Sequence, residues 1–259
     1  MTATPTNVRV VDDGAVRIVT IDRPDKRNAV DRPTADELET AFADFDADDA
    51  LSVAILTGSS DTFCAGADLT GVAEGRGNRV TPDGPGPMGP TRMVLSKPVI
   101  AAVEGYAVAG GLELAVWCDL RVAASDATFG VFCRRWGVPL VDGGTIRLPR
   151  LIGQSRAMDM ILTGRGVGAP EAHAMGLVNT LCEPGQALEQ AVALAQRLAG
   201  LPQNCMRSDR ASVLEQWSLD EPAALAAEYR HGIATIASGE TIEGAARFSA
   251  GEGRHGAGT

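Results

Sequence analysis

The stretch from Ile100 to Leu120, IAAVEGYAVAGGLELAVWCDL, carries the residues best placed to do chemistry. Ala109-Gly110-Gly111 are small enough for a sharp turn and for a ligand to come within hydrogen-bonding distance of a main-chain N–H. Leu112, Leu114, Ala115 and Val116 then read as an apolar helix whose first turn holds one carboxylate, Glu113. A carboxylate in such surroundings calls for an explanation. The Gly110 N–H, at a helix N-terminus, is suited to face a substrate oxygen that becomes negative during reaction, and the helix dipole adds to that field. Glu113, three residues on, would face the same pocket and move a proton at the carbon beside the polarised carbonyl.

The order of residues here is apolar, small, any, apolar, Glu, Gly, three residues, three Ala/Gly, and later Cys118-Asp119-Leu120. It resembles the signature of the crotonase (enoyl-CoA hydratase/isomerase) superfamily. Phe63-Cys64-Ala65-Gly66-Ala67-Asp68-Leu69 is similar to the same family's F-x-A-G-x-D-L motif. The resemblance implies that the N–H of Ala67 joins that of Gly110 in a two-donor oxyanion hole for a thioester enolate, with Ala65, Asp68 and Leu69 touching substrate. The bland reading of the second motif alone is a glycine-containing strand end.

Arg23-Pro24-Asp25-Lys26-Arg27-Asn28-Ala29 is by composition a solvated basic turn. The resemblance reverses that reading: an R-P-x-x-x-N-A loop in this family lies beside the CoA nucleotide, making Lys26, Arg27 and the Ala29 backbone CoA contacts. Hydratases of the superfamily usually carry a second glutamate four residues before the glycine corresponding to Gly137, and Cys133 stands there. Adding water to a conjugated double bond needs a base for the water and a proton for the α-carbon. Asp142, in V-D-G-G, is the nearest candidate for a second acid; its alternative role is to cap the helix expected from Thr145 to Leu151. Cys133 is a weak acid with nothing nearby to activate it. Arg134-Arg135 could bind phosphate, pair with acids or sit in solvent, and His173 reads as a surface helix residue.

The surrounding elements follow from periodicity. Val8–Val11 and Val16–Ile21 read as a hairpin across Asp12-Asp13-Gly14. Thr34-Ala35-Asp36-Glu37 reads as a capping box opening an amphipathic helix to about Asp46. Buried strands are expected at 53–57, 99–103, 120–123 and 127–132. Gly71 to Pro90, dense in Gly and Pro, reads as a mobile loop and, by the resemblance, a lid over the acyl chain. Helical residues are expected at 91–96, and helices at 148–153, 155–162, from Ala169, at 186–198, 204–217 and 221–237, with a frayed tail from Gly251.

At 259 residues with 45% apolar and 22% charged residues, the chain can bury a large core. A net charge of −10 argues against nucleic acid or an anionic membrane as partner, because no basic excess is available to displace counterions. No apolar run approaches a membrane span, and the start has no secretory leader pattern, so a cytoplasmic protein is expected. Five scattered cysteines without a C-x-x-C pair, and three distant histidines, indicate reduced thiols and no metal site.

The resemblance implies an α/β fold, a crotonase-like spiral of ββα repeats in residues 1–195, followed by a helical trimerisation region in 196–259. It further implies a homotrimer, or a hexamer built as a dimer of trimers. The expected function is enoyl-CoA hydratase, with Glu113 and Asp142 catalytic, an acyl-CoA thioester as substrate and no cofactor beyond the CoA the substrate carries. The rivals are a Δ3,Δ2-enoyl-CoA isomerase, which needs one carboxylate only, and a catalytically inactive acyl-CoA-binding protein.

Overall fold

A computed structural model describes residues 6–75 and 77–252. The chain divides into two compact units, Met1–Leu198 and Ala199–Thr259.

In the first unit, strands β1 (Val8–Asp13) and β2 (Val16–Ile21) pair antiparallel around a turn at Gly14, whose φ of 58° suits glycine. Helix α1 (Arg32–Ala47) buries Leu38, Ala41, Phe42 and Phe45, the stripe its spacing demands. Its cap is Asp31, whose carboxylate accepts from Thr34 N–H at 3.1 Å, with Pro33 in the first turn. The expected capping box therefore starts three residues late. Proline tolerates the first helical turn, and Glu37 is drawn away to the N–H groups of Asn7 and Val8 at 2.8 and 2.9 Å.

Next come β3 (Val53–Gly58), the short α2 (Leu69–Ala73), β4 (Val99–Val103), β5 (Tyr106–Val108) and α3 (Gly110–Trp117). The region expected to be loop from Gly71 thus begins within a helix. The helical residues expected at 91–96 shrink to a 3-10 turn at Pro90–Arg92, because the Trp117 indole N–H takes the Met93 carbonyl at 3.1 Å and the backbone there turns extended. After β6 (Leu120–Ala124) and β7 (Thr128–Gly130), a 3-10 turn, Phe132–Trp136, replaces the end of the strand expected to reach Phe132. The unit continues through α4 (Gly144–Ile152), α5 (Gln154–Thr163), β8 (Gly166–Gly168), α6 (Ala169–Ala174), β9 (Thr180–Cys182) and α7 (Ala187–Ala199).

The strands form a six-stranded sheet of order β1-β2-β3-β4-β6-β9, parallel except for β1 with β2, and a small sheet β5-β7-β8. The chain alternates between them: β4 to β5, then β6 to β7, each pair followed by helix. This is the expected ββα repeat, a crotonase-type α/β fold. β4 is buried along its whole length, as its unbroken apolar run requires.

Two buried cations anchor helix ends. Lys97 Nζ donates to the carbonyls of Phe45 and Asp48 at the end of α1. Arg121, 2% exposed, donates to the carbonyls of Ala115 and Cys118 at the end of α3 and to that of Leu177 at 2.6 Å. Positive charge is favourable at a helix C-terminus, and here it fixes the helix that carries Glu113.

The second unit holds α8 (Gln203–Glu215), α9 (Glu221–Ala237) and α10 (Glu240–Ser249), the last not anticipated from sequence. The Glu240 carboxylate accepts from the N–H groups of Asn204 and Cys205 at 3.0 and 2.9 Å, closing the start of α8. The frayed tail expected from Gly251 lies, from residue 253, outside the described residues. Among the described residues no helix is long and apolar enough to cross a membrane.

Candidate active site

The two glycine-containing turns meet. Segment 64–68 runs beside β5, with Cys64 N–H on the Tyr106 carbonyl and Val108 N–H on the Cys64 carbonyl, at 2.9 and 3.1 Å. Gly66 has φ 99°, and a Cβ on it would lie 2.8 Å from Ala109 Cβ and 2.9 Å from Gly110 N. Only glycine allows that approach.

On the other side of segment 64–68, Val30 N–H bonds the Gly66 carbonyl and Asp68 N–H bonds the Val30 carbonyl. Successive amides in an extended chain point opposite ways, so Ala67 N–H is turned away from Val30. Ala109 precedes α3 at φ 54°, ψ −124°, a conformation that costs a non-glycine residue on the order of 1 kcal/mol. It leaves Gly110 N–H at the open start of the helix. Among the described residues neither the Ala67 nor the Gly110 N–H has a protein acceptor, and both residues line one cavity of about 520 Å3.

Glu113 and Asp142 line the same cavity, 2% and 3% exposed. Glu113 Oε1 accepts from the N–H groups of Asp142 and Gly144, at 2.9 and 2.8 Å, and its other oxygen has no partner among the described residues. Burial pushes the Glu113 carboxyl up to about 7; the Gly144 N–H opposes this and the Asp142 charge adds to it. A carboxyl so poised can both give and take a proton near neutrality.

Asp142 Oδ1 accepts from Met88 N–H at 2.9 Å and from the Thr91 hydroxyl. Burial raises its pKa against those hydrogen bonds. Asp142 does not cap α4: Gly143 occupies that position with no side-chain bond, which removes the capping alternative. Cys133 also lines the cavity, its thiol held neutral by burial and by the Glu113 charge.

Of the other expected ligand contacts, Arg27, Ala65 and Leu69 line the cavity, and Lys26 is exposed on the neighbouring 3-10 turn, outside the lining. Two expectations are corrected. The Ala29 N–H goes to the Lys26 carbonyl and its own carbonyl to Arg23, so its backbone is spent inside the loop. The Asp68 carboxylate caps α2 and pairs with Arg23 at 3.2 Å, while Arg23 also holds Asp31 at 2.9 Å, so it orders the segment rather than touching ligand. Asn28, fully buried, donates to the Ser59 and Thr62 carbonyls.

Most of the rest of the wall is apolar, with Val72, Val80, Met88, Phe132, Trp136 and Val138, and Asn78 is the polar side chain among them. Sequence reasoning missed Met88 and Thr91, because nothing local marks them. Residues 77–90 are tied down by Asn78, whose side chain donates to the carbonyls of Val30 and Pro87, at 3.2 and 2.8 Å. His173 lies exposed on α6, its Nδ1 3.0 Å from the Val178 carbonyl, away from the cavity.

The family model described as enoyl-CoA hydratase/isomerase matches residues 12–253. An enoyl-CoA hydratase of Mycobacterium tuberculosis, EchA19, is 34% identical over 91% of this chain and 91% of its own. A carnitinyl-CoA dehydratase of Escherichia coli O157:H7 is 35% identical over 94% and 95% respectively. Among solved structures, the enoyl-CoA hydratase EchA1 of Mycobacterium marinum is 38% identical, with a TM-score of 0.89 over 95% of this chain and 96% of that one.

Proposed function

The chain belongs to the enoyl-CoA hydratase/isomerase family, and on that premise we propose that it hydrates a 2-enoyl-CoA thioester. In this reading the N–H groups of Ala67 and Gly110 receive the thioester oxygen and stabilise the enolate that forms when water attacks C3. Such donors are worth on the order of a hundredfold in rate each. Glu113 takes the proton of the attacking water, the hydroxyl bonds to C3, and C2 receives a proton from Asp142 or from Glu113 itself. The observation that carries the reading is that two amides and two buried carboxyls line one cavity, the amides and one oxygen of each carboxyl having no partner among the described residues.

Arg27 and Lys26 are our choice for the CoA phosphates, with Ala65 and Leu69 beside the pantetheine and acyl groups. Among the described residues, Arg27, which this reading gives to the CoA phosphates, is the one charged side chain on the wall besides the reacting carboxyls, which supports an uncharged, apolar acyl chain. No cofactor is called for beyond the CoA the substrate brings. We place the enzyme in cytoplasmic acyl-CoA metabolism and read the exposed Leu214, Trp217, Leu225, Tyr229, Ile236 and Phe248 as a trimer or hexamer face.

The second reading, Δ3,Δ2-enoyl-CoA isomerase, is favoured by one observation, the neutral Cys133 thiol where a hydratase would carry a second glutamate. Incubation with crotonyl-CoA and with a 3-enoyl-CoA separates the two: loss of the conjugated enoyl absorbance with formation of the 3-hydroxyacyl product is expected. Rapid isomerisation with no hydration at any chain length would overturn the choice. No turnover of any thioester, with acyl-CoA still bound, would leave a binding protein.

A further inference from the structure

α4 starts within the turn that holds Glu113, and its Arg147 folds back over that turn. Nη1 donates to the Asp142 carbonyl at 2.9 Å and Nη2 to the Thr91 carbonyl at 2.7 Å. Those carbonyls belong to the two segments that hold the two cavity carboxylates. The Asp142 N–H binds Glu113 Oε1, and the Thr91 hydroxyl binds Asp142 Oδ1. Gly143, at φ 94°, leaves the room: a Cβ there would collide with the Arg147 guanidinium.

The charge arrangement matters as much as the clamp. Both carboxylates act on Arg147 electrostatically, yet among the described residues its hydrogen bonds go to carbonyls and none to a carboxylate. A cation placed so lowers the energy of both anions without occupying their free oxygens. Burial pulls Arg147 itself down while the two acids pull it up. The other titratable or charged groups acting here are Cys133 beside Glu113, Arg92 beside Asp142, and Cys118 and Arg150 beside Arg147. The two carbonyls are held in fixed directions by two nitrogens of one planar fork, whereas a lysine ammonium would have to meet both from a single nitrogen on a flexible stem.

We propose that Arg147 is the positioning residue of the two-carboxylate site, clamping the Thr91 and Asp142 carbonyls to set the turn that orients Glu113 and lending its charge to the ionised form of both acids. The proposal rests on the reading of Glu113 as the proton carrier, and its test is built to fail separately. The full chain carrying Arg147→Met or Arg147→Lys is titrated by 13C NMR of the glutamate carboxyls, with the Glu113 signal assigned by its loss in Glu113→Gln. The titration needs no substrate, so a parent that turns over no thioester sinks the hydratase reading while the Glu113 midpoint in Arg147→Met still decides this one.

In Arg147→Met the Glu113 midpoint is expected to rise, cutting its ionised fraction at neutral pH by about twofold. In Arg147→Lys the midpoint stays near that of the parent, while kcat on the enoyl thioester falls about tenfold or more with KM little changed, because charge is retained and the two-carbonyl clamp is lost. A Met variant with the parent midpoint, or a Lys variant with the parent kcat, overturns the proposal. If the Met variant does not fold, the Lys variant decides alone: a parent-like midpoint with lowered kcat supports it, and any other pairing overturns it.

Discussion

The backbone N–H of Asp142 lies 2.9 Å from Oε1 of Glu113, so the residue that supplies the second carboxyl group also holds the first in place, through its main chain. The two jobs separate by mutation, because a change of side chain leaves that N–H where it is.

Asp142→Asn is the cleanest cut. An asparagine Oδ1 can still accept from Met88 N–H and the Thr91 hydroxyl, so the fold should be kept while the proton is lost. The expected result is a fall in kcat of about a hundredfold on an enoyl-CoA, with thermal melting within a few degrees of the parent. An unchanged kcat would assign Asp142 to holding residues 88–91 and nothing more.

Glu113→Gln should cost at least about a hundredfold in turnover, the scale of a general acid or base. In the parent, kcat/KM should titrate near 7, and that limb should vanish from whatever activity the glutamine variant keeps. Stopped-flow rates across pH decide the matter; parent-like turnover in the variant would remove Glu113 from the mechanism.

The same shift has a stability consequence with a definite sign. Burial raises Glu113 from its ordinary 4.5 to about 7 in the fold. Its contribution is therefore fully present below 4.5 and is lost as pH rises through about 7. On the order of 3 kcal/mol is at stake. Urea denaturation at pH 4.5 and pH 8 should show Glu113→Gln gaining on the parent as pH rises, and an equal gap at both pH values would refute the burial argument.

Gly66→Ala should place a methyl within 3 Å of Gly110 N and of Ala109 Cβ, at a φ of 99° that alanine resists. The amide pair must then spread. A kcat loss of about a hundredfold is expected, the cost of one oxyanion donor, together with a lower melting temperature. Full activity in a folded variant would mean the amides do not act together.

Arg23→Met leaves Asp31 and Asp68 without their shared cation in a setting where all three side chains are 10 to 14% exposed. Breaking such a pair costs about 3 kcal/mol or more. Chemical denaturation should show that loss, with weakened activity because segment 66–68 carries Ala67. A loss below about 1 kcal/mol would class the cluster with surface ion pairs.

Much of the fold was legible because its causes are local. The apolar run 99–103 had to be a buried strand, the period of Leu38, Phe42 and Phe45 had to be a helix, and the glycines at 66 and 110 had to mark backbone turns. Where local cues competed, the reading slipped. Asp31 took the cap from Thr34 because proline starts a helix early, and the backbone turns extended at Met93, whose carbonyl goes to Trp117, where a helix at 91–96 would have to continue.

By itself, then, the sequence determined the two turns, the helix that carries Glu113 and the family signature they compose, since residue type and near spacing decide what a few linked backbones can do. The tertiary structure alone decided which groups hold that glutamate, that Asp142 faces the cavity instead of capping a helix, and that Asp68 and Ala29 serve Arg23. Those partners lie 6 to 54 residues apart along the chain. Apart from the nearest of them, they are chosen by how the sheets and helices pack, a competition among distant donors and acceptors that no local pattern records.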